Sequence, residues 1–375
     1  MRRTSALIVG GGPAGATAAM LLARAGADHL LVERQHEMGD AICGGFLSWR
    51  TLETLRTLGI DADTLNPASV TRVSLFTPRH RATARLPHPA RGVSRRTLDT
   101  QMLAAAERAG ARVERGISVR AIDGLSVRLA DGAMITADAL MLASGKHDVR
   151  GLARPAPRAA DPTLGLRVRI ASAPGLSRLV GDAIELHLVD RGYVGIVLQE
   201  DGGANCCMAI HRSRLEEAGN TERLLERLGM EVPALGDRLA FRTSDATVDA
   251  IANVPYGWRA HTREPGLFRL GDQAAVIPSL AGEGMGIAIA SAIRAANAYL
   301  RGGGQAAPVY QRRLARSARS PMMIAGLIRR AAEAPHLAAA LAMLAANLPA
   351  LVAFTARATR IDHSPIDAAT EQEKS

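Results

Sequence analysis

The first 33 residues constrain this chain most. Ser5–Val9 is a short apolar run that passes directly into Gly10-Gly11-Gly12-Pro13-Ala14-Gly15, and an alanine- and leucine-rich stretch to about Ala25 follows. Gly26 stops that stretch, and Leu30–Val32 form a second apolar run ending in Glu33. This is the pattern of a strand, a glycine turn, a helix and a second strand with an acid at its end: a βαβ unit. Gly10, Gly12 and Gly15 fit G-x-G-x-x-G. The first glycine permits the tight turn, the second lets a pyrophosphate approach the backbone, and the third lets helix and strand pack closely. The helix N-terminus then offers free N–H groups to a phosphate, and a carboxylate at Glu33 accepts hydrogen bonds from a ribose diol. An N-terminal dinucleotide-binding α/β domain is therefore expected.

At 375 residues the chain has room for two or three domains. Its net charge of +10 is almost all arginine, since Lys146 and Lys374 are the only lysines. Aromatics make up 3% of the residues, which argues against a nucleic-acid reader built on stacking platforms. Cys43, Cys206 and Cys207 form no C-x-x-C pair, and the apolar start is too short for a signal peptide, so a reducing cytoplasm is expected. The ten histidines are scattered without a Cys/His cluster or H-E-x-x-H, and no metal site is expected.

Further along, Leu98–Ala109 reads as a helix, and Arg112–Val119, Ser126–Leu129 and Ala137–Ala143 as strands. Ile184–Val189 and Tyr193–Leu198 flank Asp190-Arg191-Gly192 and read as a hairpin that Asn205–Ile210 can join. Leu267–Leu270 is a late strand before Gly271-Asp272, and Gly282–Gly286 opens a long helix to about Leu300. Gly302-Gly303-Gly304 reads as a linker to a helical tail.

Glu33-Arg34 after an N-terminal fingerprint favours FAD over a nicotinamide. GDQAAVIPSLAGEGMGIAIASA at 271–292 is similar to the second flavin motif of the FAD-dependent oxidoreductases of the para-hydroxybenzoate hydroxylase fold. That superfamily includes aromatic and ubiquinone-pathway hydroxylases and geranylgeranyl reductases, and the resemblance spans residues 1 to about 300. GVSRRTLDTQML at 92–103 resembles the segment whose Arg or Gln contacts the flavin chain, which points to Arg95, with Arg96 as the rival register. GDAICGGFLS at 39–48 resembles the loop near the pyrophosphate and isoalloxazine, with a Cys-Gly-Gly similar to that of the geranylgeranyl reductases.

The resemblance implies an α/β protein: a Rossmann-like FAD-binding domain, an inserted mixed β-sheet substrate domain and a C-terminal helical tail. The expected boundaries are 1–68, 91–160 and 262–301 for the flavin domain, 69–90 and 161–261 for the substrate domain, and 305–375 for the tail. The implied cofactor-binding residues are Gly10, Gly12, Pro13, Ala14, Gly15, Glu33, Arg34, Cys43, Gly44, Arg95, Gly271, Asp272, Pro278, Gly282, Gly284, Met285 and Gly286. A helix N-terminus at Gly282–Gly286 carries about half a positive charge, suited to a reduced flavin.

It also implies an FAD-dependent oxidoreductase with NAD(P)H as electron donor. The favoured reaction is hydroxylation of an apolar aromatic or polyketide-like substrate through a flavin hydroperoxide. The alternative is reduction of a C=C bond of an isoprenoid or lipid, and a third reading is a flavin-binding protein without turnover. The chain departs from the hydroxylases at Ala143-Ser144-Gly145-Lys146-His147-Asp148, where their Ala-Asp-Gly is absent. It departs from the prenyl reductases at Gly192–Val197, where Tyr193 remains but Gly195 stands in the tryptophan place.

Four residues are candidates for catalysis. Cys43 either lies beside the flavin or is a small buried thiol. His187 and Tyr193 fall on the strands of the substrate layer, and a histidine there either moves protons or is structural. Glu283 either tunes protonation at the flavin or caps its helix. In the tail, Leu337–Ala356 is twenty residues without a charge, read as two helices broken at Pro349. With Arg312, Arg316 and Arg319 on one helix face, it admits peripheral docking on an anionic membrane.

Overall fold

The computed structural model describes residues 2–155, 159–261 and 263–363. The chain opens with β1 (Arg2–Val9), α1 (Pro13–Arg24) and β2 (Leu30–Glu33). A short β3 (Phe46–Leu47) and helices α2 (Trp49–Thr57) and α3 (Ala62–Leu65) lead to β4 (Val70–Phe76) and β5 (Arg81–Gly92). Helix α4 (Arg95–Arg108) returns to β6 (Val113–Arg115), β7 (Val119–Asp123), β8 (Ser126–Leu129) and β9 (Met134–Leu142). Then come β10 (Thr163–Ile170), α5 (Pro174–Val180), β11 (Ala183–Val189), β12 (Gly192–Leu198) and β13 (Ala204–His211). Helices α6 (Arg212–Ala218), α7 (Thr221–Glu231) and α8 (Pro233–Leu239) precede β14 (Val248–Ile251), and β15 (Leu267–Arg269) precedes α9 (Gly284–Gly302). The last helices are α10 (Ala307–Ser317), α11 (Arg319–Ala332), α12 (Pro335–Asn347) and α13 (Pro349–Ala358).

These strands form two mixed sheets. The first has the order β6-β2-β1-β9-β8-β7, with β15 also paired to β9. Alternation along β1 serves two cores: Ala6 and Ile8 pack under α1, α4 and α9, while Leu7 and Val9 face the opposite side. The second sheet has the order β14-β10-β13-β12-β11-β4-β5-β3. One of its faces packs on α5–α8 through Leu176, Leu225, Leu228 and Leu235. Its other face looks toward the flavin motifs and is roofed by α11–α13.

Several local expectations shift. Arg112–Val119 is not one strand, because Gly116 adopts φ +74° and packs against the His36 ring, separating β6 from β7. The helix expected from Leu98 begins at Arg95, where the Ser94 hydroxyl accepts a hydrogen bond from the Thr97 amide at 3.1 Å. The Gly302–Gly304 run is not a loose linker. Gly304 packs so tightly that a Cβ there would lie 2.9 Å from the Asp138 carbonyl oxygen, and its own carbonyl accepts from the Gly266 amide at 2.8 Å. A break at Ala318 places Arg312 and Arg316 on α10 and Arg319 on α11; all three are exposed. Of the expected tail, residues 364–375 lie outside the described residues.

Candidate functional site: a glycine-lined cradle and an apolar cavity

The turn after β1 folds as its glycines require. Gly10 has φ +104°, and a Cβ there would lie 2.6 Å from the Ala143 carbonyl oxygen. A Cβ on Gly15 would overlap the Gly10 carbonyl. Glu33, buried at the end of β2, accepts from the Gly11 amide at 2.6 Å and from the Gln35 amide at 2.9 Å. Its carboxylate thus stands beside the turn. Gly12 is the N-cap of α1 and has no capping side chain; beside it lies Arg95 Nη2, 3.2 Å from where a Cβ would be. Pro13 and Ala14 are buried in the first turn of α1.

Arg95, not Arg96, reaches this turn; Arg96 is exposed. Arg95 is fixed by a two-pronged pair with Asp99, at 2.8 and 2.6 Å. Burial alone would lower its pKa, but Asp99, with Cys43 and Asp272 farther off, raises it and keeps the guanidinium charged. Arg34 is exposed beside Glu33.

The second motif meets the same place from the other side. Gly271 sits against Ala14 and Ala288 at φ +55°, a conformation that favours glycine, and its amide donates to Ser291 Oγ at 2.8 Å. Asp272 lies 3.4 Å from Lys146 Nζ. Pro278 is buried and leads into a 3-10 turn, Ser279–Ala281, closed by Gly282 at φ +62° against Phe46. Gly284 and Met285 begin α9, whose first turn has no capping side chain. The bare faces of Gly44, Gly145 and Gly284 have no atom within 4 Å of where a Cβ would stand. Two uncapped helix N-termini, a row of open glycines and a half-buried cationic Arg95 suit the pyrophosphate and the ring of a dinucleotide. Gly286 is bare for another reason: a Cβ there would lie 2.6 Å from the Glu283 carboxylate.

Residues 3–150 match the family model described as "FAD binding domain". The chain is 31% identical over 171 residues to the probable electron transfer flavoprotein-quinone oxidoreductase YdiS of Escherichia coli (strain K12). That match covers 42% of this chain and 40% of that protein. PqsL, a probable FAD-dependent monooxygenase from Pseudomonas aeruginosa, superposes with a TM-score of 0.72 at 18% identity, over 91% of this chain and 99% of its own. A geranylgeranyl bacteriochlorophyll reductase-like protein from Thermoplasma acidophilum gives 0.68 at 21%, over 96% and 94%. The chain has the fold of the FAD-dependent hydroxylase superfamily. Residues 3–150, which match that model, carry the first glycine turn, Glu33 and Arg95 of the cradle just described.

From this cradle a cavity of about 300 Å³ runs over one face of the second sheet. Its floor is one face of that sheet: Val73 and Leu75 of β4, Ala82, Ala84 and Leu86 of β5, Ile184, Leu186 and Leu188 of β11. The period of two fixes the fate of His187. It points to the opposite face, stacked on Phe76, with its Nε2 3.1 Å from Glu185, which Arg238 also holds. Burial pushes its pKa down. The structure therefore does not bring His187 to the cavity, and it serves the core under α5–α8. Tyr193 pairs with Leu188 across the hairpin and shares its face, so it lines the cavity.

Three polar side chains meet in this apolar space. The Tyr193 hydroxyl is hydrogen-bonded to Ser279 Oγ, and the Tyr256 hydroxyl lies 2.7 Å from the same oxygen. Burial raises both phenol pKa values, so both stay protonated. Cys43 and Cys207 also line the cavity, and burial pushes the Cys207 thiol up to about 12. Lys146 borders it too. Burial alone would depress its pKa, but Asp272 and Cys43 raise it, and Lys146 also donates to the Ile42 carbonyl at 3.2 Å.

Glu283 neither caps α9 nor faces the cavity as a free acid. Fully buried, it accepts from Arg360 Nη1 at 2.6 Å and from the Ile361 amide at 3.2 Å. The same Nη1 donates to the Ala281 and Gly282 carbonyls at 2.9 and 3.2 Å. The end of the tail thereby clamps the second flavin motif. Sequence reasoning missed Arg360, Ser279, Tyr256 and Lys146. Only Lys146 carried a signal, as one of two lysines in an arginine-rich chain.

Proposed function

We propose that this protein is an FAD-dependent monooxygenase for an apolar substrate that carries a single hydroxyl or carbonyl group. The observation that carries this reading is the cavity: apolar on most of its wall, contiguous with the glycine-lined cradle, and furnished with the polar cluster Tyr193–Ser279–Tyr256 besides the Lys146–Asp272 pair at its border. Bound FAD supplies two-electron redox chemistry, with NAD(P)H as the donor and dioxygen as the oxidant. One oxygen atom enters the substrate and the other leaves as water.

The chain's own groups have defined tasks. The two protonated phenols, shared through Ser279, hold the polar end of the substrate as donors rather than as bases. The Leu, Ile and Val floor holds its apolar body and excludes water. Lys146, kept cationic by Asp272, and the open N-terminus of α9 place positive charge where negative charge accumulates on reduction. A second reading, reduction of a C=C bond, is favoured by Cys43 lining the cavity in a loop bare at Gly44.

The test is anaerobic reduction of the FAD-loaded protein by NADPH or NADH, read from the flavin's visible band. Isotopically labelled dioxygen is then added with a long-chain alkylphenol. Label in the product supports hydroxylation. Reoxidation by an isoprenoid alkene without oxygen supports the reductase. Protein that binds no FAD sinks both.

A further inference from the structure

The roof of the cavity is unusual in what it shows to the outside. Helices α12 and α13 meet at Leu348 with a bend of 113° and pack on β5. Among the described residues, no single helix is long and apolar enough to cross a membrane. Their inner faces supply Leu341, Ala345, Val352 and Thr355 to the cavity. Leu344 and Leu351 both line the cavity and are exposed, at 44% and 42%, so the mouth opens between these two helices. Around that mouth Leu337, Met343, Leu348 and Phe354 are exposed, with Phe354 66% accessible. Soluble surfaces rarely gather so many large apolar side chains.

The charge around this patch has one sign. Residues 305–360 hold eight arginines and one acidic residue, Glu333. Glu333 is turned inward and pairs with Arg329 at 2.6 Å. On α11, which packs on both α12 and α13, Arg319, Met323, Leu327 and Arg330 are exposed and fall on one helical face. Arg357 is exposed one turn beyond Phe354. A second copy of the chain would meet this surface as itself, cation against cation. An anionic bilayer complements both parts: acyl chains for the leucines and phenylalanine, headgroups for the arginines.

We propose that the outer face of α11–α13 docks on an anionic lipid surface and turns the cavity mouth toward the acyl chains. The substrate then enters from the bilayer without crossing water. The docking is independent of the chemistry, whereas the substrate route rests on the monooxygenase reading above.

The test uses the full-length, FAD-loaded protein and vesicles of phosphatidylcholine with or without phosphatidylglycerol. Co-sedimentation with the anionic vesicles is expected, and the double variant Met343→Glu/Phe354→Glu is expected to cut the bound-to-free ratio by at least about tenfold. Leu351→Trp is expected to be quenched by brominated acyl chains beyond the background from Trp49 and Trp258. Equal sedimentation of variant and parent, no preference for anionic vesicles, or an unquenched Leu351→Trp overturns the proposal. So does a dimer in lipid-free solution that the double variant dissolves, which assigns the face to a second copy. Flavin absorbance in each sample reports separately on the FAD reading. A colourless protein that still sediments upholds the docking and sinks the chemistry.

Discussion

Replacing Arg360 by alanine tests how the tail and the second glycine motif are joined. Glu283 has no exposed surface, and its strongest partner is Arg360 Nη1 at 2.6 Å. Removing that cation leaves a buried carboxylate held by the Ile361 amide at 3.2 Å and Ser48 Oγ at 3.4 Å, with His363 Nε2 farther off at 3.8 Å. Breaking a buried pair from one side costs about 3–5 kcal/mol. At about 1.4 kcal/mol per tenfold, that is roughly two to three and a half orders of magnitude in the folding equilibrium. The Ala281 and Gly282 carbonyls lose the same donor, and the guanidinium leaves the faces of Trp49 and Phe46, 5.3 and 6.0 Å away. If the tail is held less tightly than that cost, it detaches and the carboxylate is hydrated instead. Urea unfolding therefore has to be read with hydrogen exchange of the amides at 359–363, and FAD affinity by fluorescence titration. The double variant Glu283→Gln/Arg360→Gln removes both charges and is expected to lose about 1–3 kcal/mol less than the two single variants together. A loss below about 1 kcal/mol for Arg360→Ala, with unchanged exchange and unchanged FAD affinity, refutes the clamp.

Three further outcomes follow from particular atoms. A Cβ on Gly284 meets no protein atom within 4 Å, so the unfolding midpoint of Gly284→Ala should match the parent while FAD affinity falls by about tenfold or more, read by flavin fluorescence. Because the folded pKa of Tyr193 is raised, its stabilisation is complete below the ordinary tyrosine pKa near 10 and is lost as pH rises beyond it. Tyr193→Phe should flatten that alkaline decline in urea-unfolding stability and raise KM more than it lowers kcat. His187 has its folded pKa lowered, so its contribution is present above about pH 6.5 and falls away below it. His187→Gln should reduce the acid sensitivity of unfolding and leave turnover within about twofold; a larger drop in turnover would return His187 to the catalytic site.

The legible parts of the sequence are those where function acts through the backbone. Gly10 and Gly15 are required within a few residues of each other by turn geometry, so the fingerprint is local. Gly282, at φ +62°, announces the second motif for the same reason. The face of each strand was also within reach. A two-residue turn between Val189 and Gly192 pairs Leu188 with Tyr193 and therefore His187 with Val194, which sends His187 and Tyr193 to opposite faces. Gly286 and the Gly302–Gly304 run show the limit of reading composition. Bare Cα atoms serve a carboxylate at Gly286 and a backbone crossing at Gly304, neither of which is nearby in sequence.

By itself, then, the sequence determined the βαβ opening and the two glycine motifs, because short-range sterics and amide donors do not depend on what packs around them; the flavin-type cofactor was implied by the resemblance those motifs carry. Tertiary structure alone decided which side chains share the cavity. Tyr193, Tyr256 and Ser279 come from three separate segments, and Arg360 finds Glu283 across 77 residues of chain. Side-chain hydrogen bonds and buried charges are satisfied by whatever the folded chain brings within about 3 Å, and that proximity leaves no periodic trace in the sequence.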